Sequence, residues 1–161
     1  MVDTLFVAGK HATKEEKYKV LLPQLKALVE GESDLIANLA NLMAGIKEAM
    51  DFLWVGVYFV KVQELVLGPF QGPLACTRIG FGKGVCGTAW KEKRTIIVSD
   101  VELFPGHIAC STLSRSEIVL PVFRQGEVFM IFDVDSKDLA CFDEIDQHYL
   151  QQVVYLIEAI I

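Results

Sequence analysis

The sequence lacks the features that would place this chain in a membrane or on nucleic acid. No apolar run approaches the roughly 18 residues that a membrane span requires. The first residues, MVDTLFVAGKHATKEEK, have neither the basic start nor the apolar core of a secretion signal. The 15 Lys and Arg residues are scattered in a chain of net charge −6, so no basic stripe is present to neutralise a phosphate backbone. We therefore expect a cytoplasmic protein with no nucleic-acid or membrane partner.

Metal-binding and disulfide frameworks are also missing from the cysteine pattern. Cys-x-x-Cys does not occur, and the three histidines do not stand at zinc-finger intervals, so we expect no metal site. A chain without a secretion signal normally keeps its thiols reduced, which argues against structural disulfides. The four cysteines are Cys76, Cys86, Cys110 and Cys141.

What the sequence does contain is enough apolar material for one core. Its 161 residues are 52% hydrophobic, too few for two ordinary domains, and no linker, repeat or low-complexity tract interrupts them. We expect one domain over residues 1–161, with N-terminal helices in 1–50 and a sheet, loops and a final helix in 52–161.

Helical patterns lie at both ends of the chain. Thr13 and Glu16 form a capping-box signature at the start of KEEKYKVLLPQLKALVEG, and Gly31 ends that segment. Apolar residues at helical spacing then predict a second helix in SDLIANLANLMAGIKEAM and a last one in FDEIDQHYLQQVVYLIEAII.

The middle of the chain has β character. Aromatic and β-branched residues predict strands in FLWVGVYFVK, ELVLGPF, ACTRI, TIIVSD, EIVLPVF and VFMIFDVDS. In GFGKGVCGTAWKEKR a glycine-rich turn is expected to lead into a short helix. Short links between successive strands favour antiparallel pairing, so the predicted class is α+β with the helices segregated from the sheet.

The glycine-rich segment formally matches a dinucleotide-binding pattern. Gly82, Gly84 and Gly87 give G-x-G-x-x-G, and Asp100 follows 18 residues after Gly82. That fingerprint requires a βαβ unit with a full crossover helix, whereas this helix is short and its neighbours favour antiparallel strands. A turn that leads into a helix is the preferred interpretation, so no cofactor is expected.

The thiols differ in their surroundings. Cys141 fits a small buried hydrophobe. Cys86 begins the short helix, where the helix dipole would lower its pKa if it were free, but packing beneath the helix fits equally well. Cys76 and Cys110 adjoin loops, where functional groups are commonly held.

Three acids lie where a core strand would normally be apolar. Asp133 and Asp135 are two residues apart at the end of a strand, so both carboxylates point to one face. Glu117 begins the neighbouring predicted strand and would complete a cluster suited to an ammonium group. An exposed strand end, or Asp135 acting as a cap, is the competing interpretation.

Several segments together resemble the free methionine-(R)-sulfoxide reductases, which are stand-alone GAF-domain enzymes. The resemblance covers about two thirds of the chain in the family's order and is carried by LWVGVYFV, LVLGPFQGPLACTRIGFGKGVCGTAW, DVELFPGHIACSTLSRSEIVLPV, FDVDS and FDEID. It implies a six-stranded antiparallel sheet with helices on one side and a loop-covered ligand pocket on the other.

The resemblance also implies roles for individual residues. Cys110 would be the nucleophile, Cys76 the main resolving thiol and Cys86 a third redox-relevant cysteine. The substrate pocket would be lined by Glu117, Asp133, Asp135, Trp54 and Tyr58. A disulfide between Cys110 and Cys76 or Cys86 would be reopened by thioredoxin or a similar dithiol reductant, in a repair activity against oxidative stress, and a homodimer is an option among relatives.

Two other function classes fit a GAF domain. The fold often serves as a ligand-binding sensor, and a redox sensor would use the same disulfide as a signal. Sensors usually carry an output domain, and we expect none within a chain of 161 residues. Steady turnover separates an enzyme from a redox sensor.

Overall fold

The computed structural model describes residues 4–108 and 110–161. Over these residues the chain forms four α-helices and a six-stranded antiparallel sheet of strand order β3-β2-β1-β6-β5-β4. The elements are α1 Lys14–Val29, α2 Leu35–Met50, β1 Trp54–Lys61, β2 Glu64–Gln71, β3 Arg78–Gly80, α3 Gly84–Glu92, β4 Ile96–Val98, β5 Ser116–Arg124, β6 Glu127–Ser136 and α4 Glu144–Glu158. The predicted α+β class is confirmed.

Local signals in the sequence account for most element boundaries. The Thr13 side chain accepts a hydrogen bond from the Glu16 amide and the Glu16 side chain accepts one from the Thr13 amide, so the capping box begins α1 as predicted. The β5–β6 hairpin turns through Gln125 and Gly126, both with positive φ, as tight hairpins require.

Two predicted strands are shorter than expected. The ACTRI segment contributes only Arg78 and Ile79 to β3, because Cys76 is held in a loop by its bond to Cys110. In TIIVSD only Ile96–Val98 pairs with β5, since Asp100 caps a 3₁₀ turn over Val101–Leu103 instead. That turn was not predicted.

The sheet separates two apolar clusters. On one face α1, α2 and α4 pack against alternate residues of the central strands, including Val55, Val57, Phe132 and Val134. We call this the helix face. The opposite face carries α3 and the loops, and we call it the pocket face. Three of the four helices therefore lie on one side, while short α3 lies across the sheet from them.

Candidate active site

A pocket opens on the pocket face, between the sheet, the start of α3 and the loops on either side of Cys110. Its empty space is about 600 Å³, which includes open solvent at the mouth. Seven of the eight site residues expected from the sequence line it: Trp54, Tyr58, Cys86, Cys110, Glu117, Asp133 and Asp135. The eighth, Cys76, is joined to the pocket through a covalent bond.

That bond is a disulfide between Cys76 and Cys110, whose Cα atoms lie 5.2 Å apart. The two residues are 34 positions apart in sequence and sit in different loops, both half-buried. The cysteine pattern argued against structural disulfides, and this bond instead joins two cysteines to which the resemblance assigns redox roles. Of the two partners that remained open for Cys110, the structure joins it to Cys76, while Cys86 is a free thiol.

Strand register explains why the three acids meet. Asp133 and Asp135 alternate along β6 with Phe132 and Val134, and Glu117 on β5 stands directly opposite Asp135. Directly opposed residues of antiparallel strands project from the same face. Glu117 and Asp133 are each only 6% exposed, so the alternative of an exposed strand end is wrong.

Burial dominates the electrostatics of these acids. It raises the pKa of Glu117 and of Asp133 well above their usual values, and the neighbouring carboxylates raise both further. The raised pKa values favour the protonated form of these acids, so either can serve as a proton donor. Burial also raises the pKa of Asp135 to about 6, opposed by a hydrogen bond from the Ser114 hydroxyl.

Cys86 lies near the start of α3 and is buried. Its thiol is not activated, although its position at the helix N-terminus would have allowed a lowered pKa. Its Sγ is 3.3 Å from Asp133 Oδ2 and 3.8 Å from Glu117 Oε1. Burial raises the pKa of the Cys86 thiol, and the negative charges of Asp133 and Glu117 raise it further. The thiol therefore stays protonated and donates to the carboxylates. Desolvation and the acids outweigh the helix dipole here.

Trp54 and Tyr58 form one wall of the pocket. They occupy alternate positions of β1, and their ring centroids lie 6.0 Å apart in a stacked arrangement. The Tyr58 hydroxyl donates a hydrogen bond of 3.0 Å to the Cys76 carbonyl, which ties this wall to the loop that carries the disulfide. Sequence reasoning gave the aromatic pair but not this bond.

The opposite wall is the N-terminus of α3. Gly84, Val85 and Cys86 line the pocket there, and Lys83 precedes them without a side-chain cap on the helix. The first amides of a helix have no acceptor within it and carry partial positive charge. The pocket thus presents positive potential on one side and acids on another.

Among the lining residues that the sequence analysis did not single out, two have informative polar groups. Ser114 binds Asp135, and His107 lines the pocket with a buried Nδ1 that has no partner among the described residues. Both belong to the segment between Phe104 and Glu117 that also carries Cys110. Its hydroxyl-rich composition was the available signal.

The pocket brings together groups that could hold a small cation. Cys86, Glu117 and Asp133 place S and O atoms within 4.8 Å of one another, close enough to surround an ammonium group or a metal ion. Asp133 Oδ1 and Trp54 Nε1 are buried without a hydrogen-bond partner among the described residues. Buried polar atoms of that kind in a pocket are suited to a polar ligand.

The chain that carries this acid cluster and disulfide has relatives whose family is known. Residues 30–161 match the family model described as GAF domain. GAF domain-containing protein A of Dictyostelium discoideum is 58% identical over 91% of this chain and 93% of its own length. Free methionine-R-sulfoxide reductase of Escherichia coli is 41% identical over 92% of this chain and 90% of its own length.

A solved structure is similar over almost the whole chain. The free methionine-R-sulfoxide reductase of Neisseria meningitidis, in complex with its substrate, superposes with a TM-score of 0.93 at 48% identity. The match covers 98% of this chain and 95% of that one. The chain belongs to the GAF domain family and, within it, to the free methionine-R-sulfoxide reductases.

Proposed function

We propose that this protein reduces free methionine-R-sulfoxide to methionine by thiol chemistry. The observation that carries the proposal is the Cys76–Cys110 disulfide at the edge of a pocket lined by three acids. A redox-active pair supplies two electrons, and the acids supply both a proton and a place for a cation. The configuration at sulfur follows from the names of the Escherichia coli and Neisseria meningitidis relatives.

The pocket fits a free amino acid better than a methionine within a protein. The substrate's ammonium group would lie among Glu117, Asp133 and Asp135. Its carboxylate would lie at the N-terminus of α3, where free amides and the dipole favour an anion. Trp54 and Tyr58 would pack against the methyl and methylene groups beside the sulfur. A methionine inside a polypeptide has neither terminal charge.

The first chemical step joins Cys110 to the sulfoxide. The Cys110 thiolate attacks the sulfur, while one of the buried acids, for which we propose Glu117, protonates the oxygen. The attack forms a bond between the two sulfurs. The S–O bond of the substrate then breaks as the hydroxyl passes to the Cys110 sulfur, and the bond between the sulfurs breaks with its electron pair left on methionine. Cys110 becomes a sulfenic acid and methionine leaves. Two electrons have then passed from Cys110 to the substrate.

The second step closes the disulfide. The Cys76 thiol attacks the sulfenic sulfur, the S–S bond forms and water leaves. Cys76 is the better resolving thiol because it is bonded to Cys110 here, whereas the Cys86 thiol has a raised pKa and is engaged with the acids. We propose that Cys86 mainly holds the carboxylates by hydrogen bonding. It can also attack the sulfenic acid in place of Cys76.

Reopening the disulfide requires an external dithiol, for which we propose thioredoxin or a similar reductant. A cytoplasmic location and a homodimer remain predictions. We also propose that residues 1–50 belong to the same domain as the sheet, since α1 and α2 pack into the helix-face core. Among the described residues, no helix is both long enough and apolar enough to cross a bilayer.

The test supplies racemic methionine sulfoxide with thioredoxin, thioredoxin reductase and NADPH. About half of the racemate should be consumed, because one configuration at sulfur is used. Cys110→Ser should abolish turnover, and the matched control Cys141→Ser should not, since Cys141 packs against the helix-face core. An active Cys110→Ser enzyme would show that Cys110 is not the nucleophile. If methionine sulfoxide oxidises the parent protein once without turnover, the redox sensor is favoured.

A further inference from the structure

Gly56 stands in the floor of the pocket at a position where a strand would normally carry a side chain. It lies on β1 between the pocket-face residues Trp54 and Tyr58, opposite Asp133 on β6 and Phe70 on β2. Its φ is not positive, so the backbone does not require glycine there. Glycine weakens a strand interior and often marks a close approach by another group.

The group that approaches Gly56 is the Trp54 indole. A Cβ atom at position 56 would lie 2.3 Å from Trp54 Cη2 and 2.7 Å from Trp54 Cζ3. It would also lie 2.5 Å from Phe70 Cβ, an atom close to the backbone that cannot turn aside. The far edge of the indole therefore lies across the space that a side chain would fill.

The indole has little freedom to avoid such a side chain. Its ring stacks on Phe70 at 5.3 Å and on Tyr58 at 6.0 Å between centroids, and Trp54 is only 4% exposed. With aromatic rings on both sides and the sheet beneath, the remaining direction is upward into the pocket. A methyl group at position 56 would lift the ring into the space above Asp133.

We propose that Gly56 is a positioning residue that sets the depth of the pocket by letting the Trp54 indole lie flat on the sheet. This inference rests on the proposed function, because the depth matters through the substrate that the pocket accepts. The effect on substrate is transmitted by Trp54, whereas the contact with Phe70 costs stability.

The test compares Gly56→Ala with Gly68→Ala. Gly68 is a similarly crowded strand glycine on β2, where a Cβ would lie 2.7 Å from Phe59 Cε2 and 3.0 Å from Val57 Cγ2, residues of the helix-face cluster. Both variants should lose stability, but Gly56→Ala should raise KM for methionine sulfoxide about tenfold to a hundredfold, a range typical of a displaced positioning group. Gly68→Ala should leave KM unchanged.

A second comparison keeps the inference falsifiable. The smaller ring of Trp54→Phe relieves the contact with the indole. Gly56→Ala should therefore lower the free energy of unfolding less in the Trp54→Phe background than in the parent. The inference is overturned if folded Gly56→Ala keeps the parental KM, if Gly68→Ala raises KM equally, or if Gly56→Ala fails to fold and Trp54→Phe does not restore it.

Substrate binding separates this inference from the proposed function. If no form of the protein turns over methionine sulfoxide, the proposed function fails. The rise in melting temperature on adding methionine sulfoxide then decides the role of Gly56. A smaller rise in Gly56→Ala than in Gly68→Ala supports it, and equal rises, or none in either, overturn it.

Discussion

The two faces of β6 contrast sharply over four consecutive residues. Phe132 and Val134 point to the helix face, where both are fully buried among apolar side chains. Asp133 and Asp135 point to the pocket face, where burial raises the pKa of each carboxyl. A raised pKa for an acid means that the folded state disfavours its ionised form. The helix face therefore stabilises the fold, and the pocket face holds costly groups suited to chemistry.

The largest expected effects come from single substitutions at two adjacent residues of β6 that lie on opposite faces of the sheet. Asp133→Asn should lower kcat/KM by at least about thirtyfold, because the substrate ammonium loses a buried charge partner. Its stability should stay equal or rise, since one acid leaves a crowded cluster. Phe132→Ala should lower the free energy of unfolding by about 3–5 kcal/mol through the cavity it leaves.

Urea unfolding and steady-state kinetics on both variants measure this contrast. Where Phe132→Ala is folded, its kcat/KM should stay near the parental value, because the pocket is across the sheet. A strongly destabilised but active Asp133→Asn enzyme would contradict the division between the faces.

A smaller effect is expected from pH, and its sign differs between stability and binding. The pKa of Asp135 rises from 3.8 unfolded to about 6 folded, so its stabilising contribution is full below 3.8 and is lost as pH rises through 6. At about 1.4 kcal/mol per pKa unit, the loss is on the order of 3 kcal/mol. Ionised Asp135 should meanwhile attract the substrate ammonium more strongly, so KM should fall over the same range.

The variant Asp135→Asn tests both trends. Without ligand, the free energy of unfolding should decline less in the variant than in the parent between about pH 4 and 6.5, the range that spans the unfolded and folded pKa values of Asp135. The variant should also flatten the change in KM. Parental slopes in the variant would show that another group titrates there.

Much of this contrast between the faces could be read from the sequence. The alternation of FMIFDVDS, with period two, was enough to place Asp133 and Asp135 on one face, and Glu117 followed from the neighbouring strand. The capping box at Thr13 and the hairpin at Gly126 are likewise local signals. Such features are predictable because adjacent residues determine them.

The rest depends on contacts between distant segments. The sequence spacing of Cys76, Cys86 and Cys110 did not decide which pair would meet, and the environment of Cys86 depends on acids 31 and 47 positions away. The bond from Ser114 to Asp135 and the position of the indole over Gly56 also depend on tertiary packing. Resemblance supplied the roles of the thiols, whereas the geometry supplied their surroundings.

The smallest effect expected is that of Tyr58→Phe, which keeps the aromatic wall and removes one hydrogen bond to the Cys76 carbonyl. A neutral hydrogen bond contributes about 0.5–1.5 kcal/mol, so disulfide formation should slow by at most about tenfold while KM stays near its parental value. In a single turnover the sulfenic acid on Cys110 should last longer, and dimedone should trap more of it.

Cys76→Ser sets the upper limit of trapping, unless Cys86 replaces Cys76 as the resolving thiol. Tyr155→Phe, on the exposed side of α4, is the matched control. Equal trapping in Tyr58→Phe and the parent would mean that the Cys76 loop holds its position without the pocket wall. Increased trapping with an unchanged KM would mean that one tyrosine contributes its ring to substrate binding and its hydroxyl to the second thiol.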